Sequence, residues 1–225
     1  SCEQECPQDP NIYYRTKKQL TELVCILDRS GSMSGLESDT IGGFNHFLKT
    51  QQAQEGEAVL STILFDHEVK VLYDRCPVKA VQPLTGREYV PRGTTALLDA
   101  LGGTLRHIWR NQGQLRKAYQ PEKTIVMIIT DGYENSSCRY SLRQVQGLIH
   151  RCKKAGWEFL FLGANMDAVE AASHLGMEEN DAANYVNDAR GQKLAYDCMA
   201  ETVSCMRQGN HRRKEWKDRV EEYKR

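Results

Sequence analysis

The stretch TIVMIIT at positions 124–130 constrains the fold more than any other part of the chain. Its side chains are apolar or β-branched at odd and even positions alike, so a strand formed here has both faces covered. Such strands belong inside a mainly parallel sheet flanked by helices, whereas a strand with one face in water would alternate apolar and polar residues. The runs LVCIL at 23–27 and WEFLFL at 157–162 have the same character. Two of these strands run directly into aspartates, Asp28 and Asp131, each followed by Gly- or Ser-containing turns.

The intervening segments carry the helical period. Ile41, Phe44, Phe47 and Leu48 recur at helical spacing over 36–50, and Ser34-x-x-Glu37 predicts a capping box for that helix. Strand-like runs at 59–65 and 69–73, separated by Asp66-His67-Glu68, predict a hairpin. Leu97, Leu98, Leu101, Leu105 and Ile108 define a second helix, weakened at Gly102-Gly103. Ser141-x-x-Gln144 opens a third, with Leu142, Val145, Leu148, Ile149 and Cys152 on one side and Gly156 as its stop. A short helix at 167–175, a minimal strand at 184–186 and a last helix at 192–206 complete the pattern. Strands alternating with helices predict an α/β fold: a doubly wound, mainly parallel central sheet with helices on both faces. In such sheets ligands sit beyond the carboxyl ends of the strands, where Asp28 and Asp131 lie.

Composition narrows the function classes. The 225 residues carry 30 Lys plus Arg against 30 Asp plus Glu, a formal net charge of zero that argues against nucleic acid or an anionic membrane as partner. The neutrality is a sum of unlike parts, because residues 207–225 hold eight basic and four acidic residues and leave the remainder at net −4. The apolar runs are strand-sized, far below the roughly 20 residues of a membrane-spanning helix. Eight cysteines are scattered without a C-x-x-C pair, which reads as buried small apolar residues of a reducing, cytoplasmic setting. Cys2 and Cys6 are the exception and are candidates to pair with each other. Residues 1–18 read as a polar leader, 19–206 as one domain, and 207–225 as a basic tail. Trp216, Val220 and Tyr223 at i, i+4 and i+7 fit either an amphipathic helix packing back on the domain or onto a partner, or a solvated, frayed end.

Asp28-Arg29-Ser30-Gly31-Ser32 supplies one carboxylate and two hydroxyls on a single loop, and Asp131 brings a second carboxylate from another strand. Hard cations such as Mg²⁺ take oxygen ligands in octahedral geometry and keep several waters, so a few hydroxyls and one or two carboxylates suffice. D-x-S-x-S at Asp28, Ser30 and Ser32, then G-T-T-A-L-L-D-A from Gly93, then T-D-G at Thr130-Asp131-Gly132, resembles the metal-ion-dependent adhesion site of von Willebrand factor type A domains. The resemblance runs from about Thr21 to Met206. It implies a Rossmann-like sheet and a bound Mg²⁺, or else Mn²⁺ or Ca²⁺. Carried over by position, it makes Asp28, Ser30, Ser32, Thr95 and Asp131 the metal residues. Thr94 stands where the family often has a second glycine, and it is the alternative to Thr95.

In the adhesive members of that family a partner's Asp or Glu completes the metal shell, so the resemblance implies metal-dependent protein binding by a bacterial-style stand-alone domain that is not an enzyme. Two other readings stay open: a metal-dependent hydrolase or phosphatase, and an accessory subunit whose metal site is only structural and which docks through its basic tail. Gly31-Ser32-Met33-Ser34-Gly35 fails the G-x-S-x-G nucleophile motif because its centre is Met33, and no P-loop or dinucleotide glycine pattern occurs. The six histidines show no zinc-site spacing. Asp66, Asp74 and Asp99 read as turn, strand-end and helix-surface residues. Glu134 and Asn135 are candidates for the rim of the metal loop or for a plain solvated turn.

Overall fold

The computed structural model describes residues 20–225. The readings made for residues 1–18, including a Cys2–Cys6 pair, lie outside the described residues. Among the described residues six strands form one sheet: β1 (Thr21–Asp28), β2 (Ala58–Phe65), β3 (Val69–Pro77), β4 (Lys123–Thr130), β5 (Glu158–Gly163) and β6 (Ala182–Asn184). Their order is β3-β2-β1-β4-β5-β6, with β3 antiparallel to β2 and every other pair parallel. The doubly wound expectation therefore holds, and the hairpin predicted around Asp66-His67-Glu68 is the single antiparallel step.

Helices α1 (Glu37–Ala53) and α5 (Ala189–Arg207) cover one face, packing Phe44, Phe47, Leu48, Met199 and Val203 against Leu23, Cys25, Leu27, Ile125 and Met127. Helices α2 (Leu97–Gln114), α3 (Leu142–Lys154) and α4 (Ala168–His174) cover the other, with Leu101, Leu105, Val145 and Ile149 on Val24, Ile26, Val126 and Ile128. Successive residues of β1 and β4 thus enter opposite cores, which is why their sequences lack alternation.

Several local expectations change. Ser141 and Gln144 form the capping box of α3 as predicted. Ser34 does not cap α1: the N-cap is Leu36 without a side-chain bond, and Glu37 instead accepts the Gly35 N–H at 2.9 Å. Residues 31–33 are already wound into a 3-10 turn, so Ser34 leaves that turn rather than entering the helix. Gly102 is a packing requirement more than a weakness, because a Cβ there would meet the Tyr140 ring at 2.3 Å. The minimal strand falls at Ala182–Asn184 rather than at 184–186.

The basic tail packs onto the domain. A 3-10 turn (Lys214–Lys217) and α6 (Asp218–Glu222) bury Trp216 and Val220 in the α1/α5 core, and Trp216 Nε1 donates to the Asn180 carbonyl at 2.8 Å. Arg212 and Lys153 both hold the buried Asp181. Cys25, Cys138, Cys152, Cys198 and Cys205 are free thiols. Cys76 is disulfide-bonded, a bond typical of oxidising compartments, so the reading of most cysteines as reduced does not extend to that position. Among the described residues no helix is long and apolar enough to cross a membrane.

Candidate metal centre

The strand order reverses direction at β1. From it the chain winds outward to β2 and β3, then crosses back through α2 to β4 on its other side. The crevice between the carboxyl ends of β1 and β4 is therefore the topological switch point, where this class of sheet binds ligands. Asp28 is the last residue of β1 and Asp131 the first after β4, and they are 1 % and 2 % exposed.

Short hydrogen bonds tie the two strand ends together. Asp28 Oδ1 accepts from the Ser30 N–H at 2.7 Å, and its Oδ2 accepts from Thr130 Oγ1 at 2.7 Å and from the Asp131 N–H at 3.3 Å. Ser32 Oγ donates to Asp131 Oδ1 at 2.6 Å and lies 3.1 Å from Ser30 Oγ. Ser30 is buried while Ser32 is exposed, so Ser32 stands at the mouth.

The loop before α2 comes against this cluster. Gly31 N–H donates to the Gly93 carbonyl at 3.0 Å and Arg92 N–H to the Arg29 carbonyl at 2.8 Å. Thr95 is buried, and its Oγ1 lies 3.8 Å from where a Cβ on Gly132 would stand; Thr94 is exposed. Thr94 in the place of a glycine causes no backbone conflict. The left-handed conformation falls on Gly93, at φ +68°, and Thr94 is not among the described non-glycine residues with positive φ.

Asp66, read from sequence as a turn residue, is the buried clasp between these loops. Its Oδ2 accepts from Arg29 Nε at 3.0 Å and Arg92 Nε at 2.9 Å, and its Oδ1 from the Glu68 N–H at 2.7 Å. Burial alone would raise its carboxyl, but these donors outweigh burial and hold it below the usual range. Arg29, although next to Asp28 in sequence, is thereby committed to Asp66 and not ion-paired to Asp28 or Asp131.

Asp28 and Asp131 receive no such partner. Among the described residues neither is ion-paired to Lys, Arg or His. Burial, reinforced by the adjacent Asp28 charge, pushes the Asp131 carboxyl up to about 6 despite the Ser32 bond. Two buried, adjacent, uncompensated carboxylates are a costly arrangement that a bound cation relieves. No cluster of three or more His, Cys, Asp or Glu side chains converges among the described residues, and the groups gathered at these strand ends are two carboxylates and neighbouring hydroxyls. That all-oxygen set fits a hard divalent cation and not a soft thiolate or imidazole site.

Three groups at the centre escaped the sequence reading. Tyr89 OH donates to the Asp28 carbonyl at 2.7 Å, and Asn187 Nδ2 to Asp131 Oδ2 at 3.1 Å. Asn187 is held in turn by Gln192 Nε2 at 2.9 Å. Tyr89 lies just before the Gly93 motif but outside it, Asn187 and Gln192 come from segments far from the motifs, and only the predicted helix at 192–206 hinted at one of them. Asp99 is not a helix-surface residue. Its carboxylate accepts the N–H groups of Cys138, Arg139 and Tyr140 at 2.9–3.0 Å and pins the loop after β4 to α2. Glu134 and Asn135 act in the same anchoring: Glu134 Oε1 accepts the Leu98 N–H at 3.0 Å, and Asn135 Oδ1 the Thr95 N–H at 2.8 Å.

Comparison with known proteins agrees with this fold. The family described as the von Willebrand factor type A domain matches residues 22–196. No curated protein sequence matches the chain significantly. Among solved structures it resembles proximal thread matrix protein 1 of the mussel byssus, with zinc in its MIDAS motif, at TM-score 0.59 and 13 % identity over 83 % of this chain and 48 % of that one. It also resembles the vWF domain of the type V pili tip protein Mfa5 of Porphyromonas gingivalis, at TM-score 0.56 and 13 % identity over 83 % and 95 %. The manganese-loaded TRAP protein of Plasmodium vivax is similar at TM-score 0.50 and 15 % identity over 78 % and 72 %. The chain spans about half the length of the mussel proteins it matches, 46–48 %.

Proposed function

Because this chain belongs to the von Willebrand factor type A domain family, we propose that it binds one divalent cation through Asp28, Ser30, Ser32, Thr95 and Asp131 and, through that cation, a carboxylate of a protein partner. The observation that carries this reading is the pair of buried carboxylates at the switch point with no cationic side chain of their own. The zinc-occupied motif of the mussel protein and the manganese-loaded Plasmodium protein support a divalent ion, and the all-oxygen donors favour Mg²⁺ or Mn²⁺.

When bound, the cation supplies an electrophilic centre that two carboxylates and neutral hydroxyls do not over-neutralise, so it attracts a third carboxylate. The protein's own residues do the rest. Asp28 is oriented by Thr130 and by two backbone N–H groups, and Ser32 at the mouth leaves the site open to a partner. Tyr133, 56 % exposed just beyond Asp131, offers the rim an apolar surface. No catalytic step is assigned, because the side chains bonded to the two carboxylates are hydroxyls and an amide, none of them a general base.

Thermal unfolding with and without Mg²⁺ or Mn²⁺ tests the metal. At about 100 times the dissociation constant the stabilisation is about 2.7 kcal/mol, a rise of roughly 5–11 °C for a domain of this size. Asp28→Ala removes the rise, and an unchanged wild-type melt overturns the reading. For the partner, immobilised, C-terminally amidated peptides carrying Asp or Glu retain the protein in Mg²⁺ and release it with chelator, while their Asn or Gln counterparts do not retain it. Retention that survives chelator refutes the carboxylate contact.

A further inference from the structure

One oxygen of Asp131 is already committed to the protein by a residue outside the motif. Asn187, in the loop between β6 and α5 and 8 % exposed, donates from Nδ2 to Asp131 Oδ2 at 3.1 Å, while Ser32 donates to the other oxygen, Oδ1. Gln192 Nε2 donates to Asn187 Oδ1 at 2.9 Å, and Thr40 Oγ1 to Gln192 Oε1 at 2.7 Å. An ionised carboxylate only accepts, so Asn187 must present its nitrogen, Gln192 its nitrogen to Asn187, and Thr40 its proton to Gln192. Gln192 and Thr40 are 1 % and 2 % exposed, so flipping any member would bury like against like. Arg225 Nη2, donating to the Asn187 carbonyl at 3.0 Å, fixes the backbone of the same residue.

We propose that Asn187, aligned by Gln192 and Thr40, tunes which cation the site would take: its hydrogen bond to Oδ2 competes with a cation that would use both oxygens of Asp131, and so favours Mg²⁺ and Mn²⁺ over Ca²⁺. Mg²⁺ requires near-octahedral geometry with ligands at about 2.0–2.1 Å, which single-oxygen carboxylates satisfy. Ca²⁺ takes six to eight oxygens at about 2.3–2.6 Å and gains from a carboxylate that offers both. The inference rests on the metal-binding reading above and adds to it a residue that the D-x-S-x-S, threonine and aspartate positions do not include.

Calorimetric titration of the full chain with Mg²⁺ and, separately, Ca²⁺ tests it, comparing wild type with Asn187→Leu, which keeps the volume and removes the donor. Replacing a residue that orients a metal ligand typically costs 10- to 100-fold in affinity. The expected result is a loss of that size for Mg²⁺ with Ca²⁺ affinity unchanged or higher, so the Mg²⁺/Ca²⁺ preference falls at least about tenfold. Equal weakening of both ions, or no change in either, overturns the inference while leaving the metal site standing. Wild-type protein that binds neither ion overturns the metal reading itself. Should Asn187→Leu alter the metal-free melt, Gln192→Ala, which frees the Asn187 carboxamide without touching Asp131, carries the same expected shift. Asn187→Ser, which keeps a donor, restores part of the preference.

Discussion

Asp131 and Asp181 are both buried acids, 2 % and 3 % exposed, and their surroundings treat them oppositely. Burial would raise the Asp181 carboxyl, but Lys153, the Glu178 N–H and Arg212 hold it below its ordinary value. A carboxyl depressed in the folded state contributes stability at neutral pH that is lost as pH falls through its folded value. Asp181→Asn should therefore cost about 1.5–3 kcal/mol at pH 7, a difference that shrinks toward zero in acid denaturation profiles below about pH 4. Asp131 has the reverse sign. Its carboxyl is raised to about 6, so its ionisation weakens the metal-free fold as pH rises through that value. Asp131→Asn should raise the metal-free melting temperature at pH 7.5 and abolish stabilisation by Mg²⁺; a lower metal-free melt would contradict an uncompensated charge. Thr95→Ala should weaken Mg²⁺ binding and Thr94→Ala should not, as titration of each will show. The residues themselves suggested Asp28, Ser30, Ser32 and Asp131 as oxygen donors at two strand ends, whereas Thr95 was reached through the resemblance to the family motif. Asn187 was illegible: it lies in a different loop with no motif of its own, and only packing of α5 against α1 brings it to Asp131.

At the scale of elements, local signals succeeded where they were self-contained. Ser141 and Gln144 satisfy each other across four residues, so their capping box was readable, whereas the Ser34 box failed because a 3-10 turn upstream takes that segment first. Asp99 was misread for a related reason. Its helical position looks solvent-facing until the loop after β4 folds over it and uses its carboxylate for three N–H groups. Asp99→Ala leaves those donors unpaired at about 1–3 kcal/mol and unpins residues 132–141. Limited proteolysis should then cut in this loop faster than in wild type, and Mg²⁺ affinity should fall with it, since the same loop holds Thr95 through Asn135. A wild-type cleavage pattern would deny Asp99 this role.

Across the whole molecule, the doubly wound sheet was legible because strands covered on both faces leave few alternatives, but the fate of the basic tail was not. Its positive charges are largely satisfied within the chain: Arg212 on Asp181, Lys217 on the carbonyls of Glu179 and Ala182, Arg219 on Glu201, Arg225 on Asp188. A tail so engaged straps the domain. Trp216→Ala should accordingly destabilise the domain by roughly 3 kcal/mol, read from denaturant midpoints at unchanged slope; a frayed tail would show no change. The position of the carboxylates also has a mechanical side. Asp28 and Asp131 terminate neighbouring parallel strands in the middle of the sheet, and β1 is bonded along its length to β2 on one side and β4 on the other. A tug on whatever the two aspartates hold is directed along those strands, so it must shear both hydrogen-bonded ladders at once instead of unzipping an edge one rung at a time. Anchorage there can resist load.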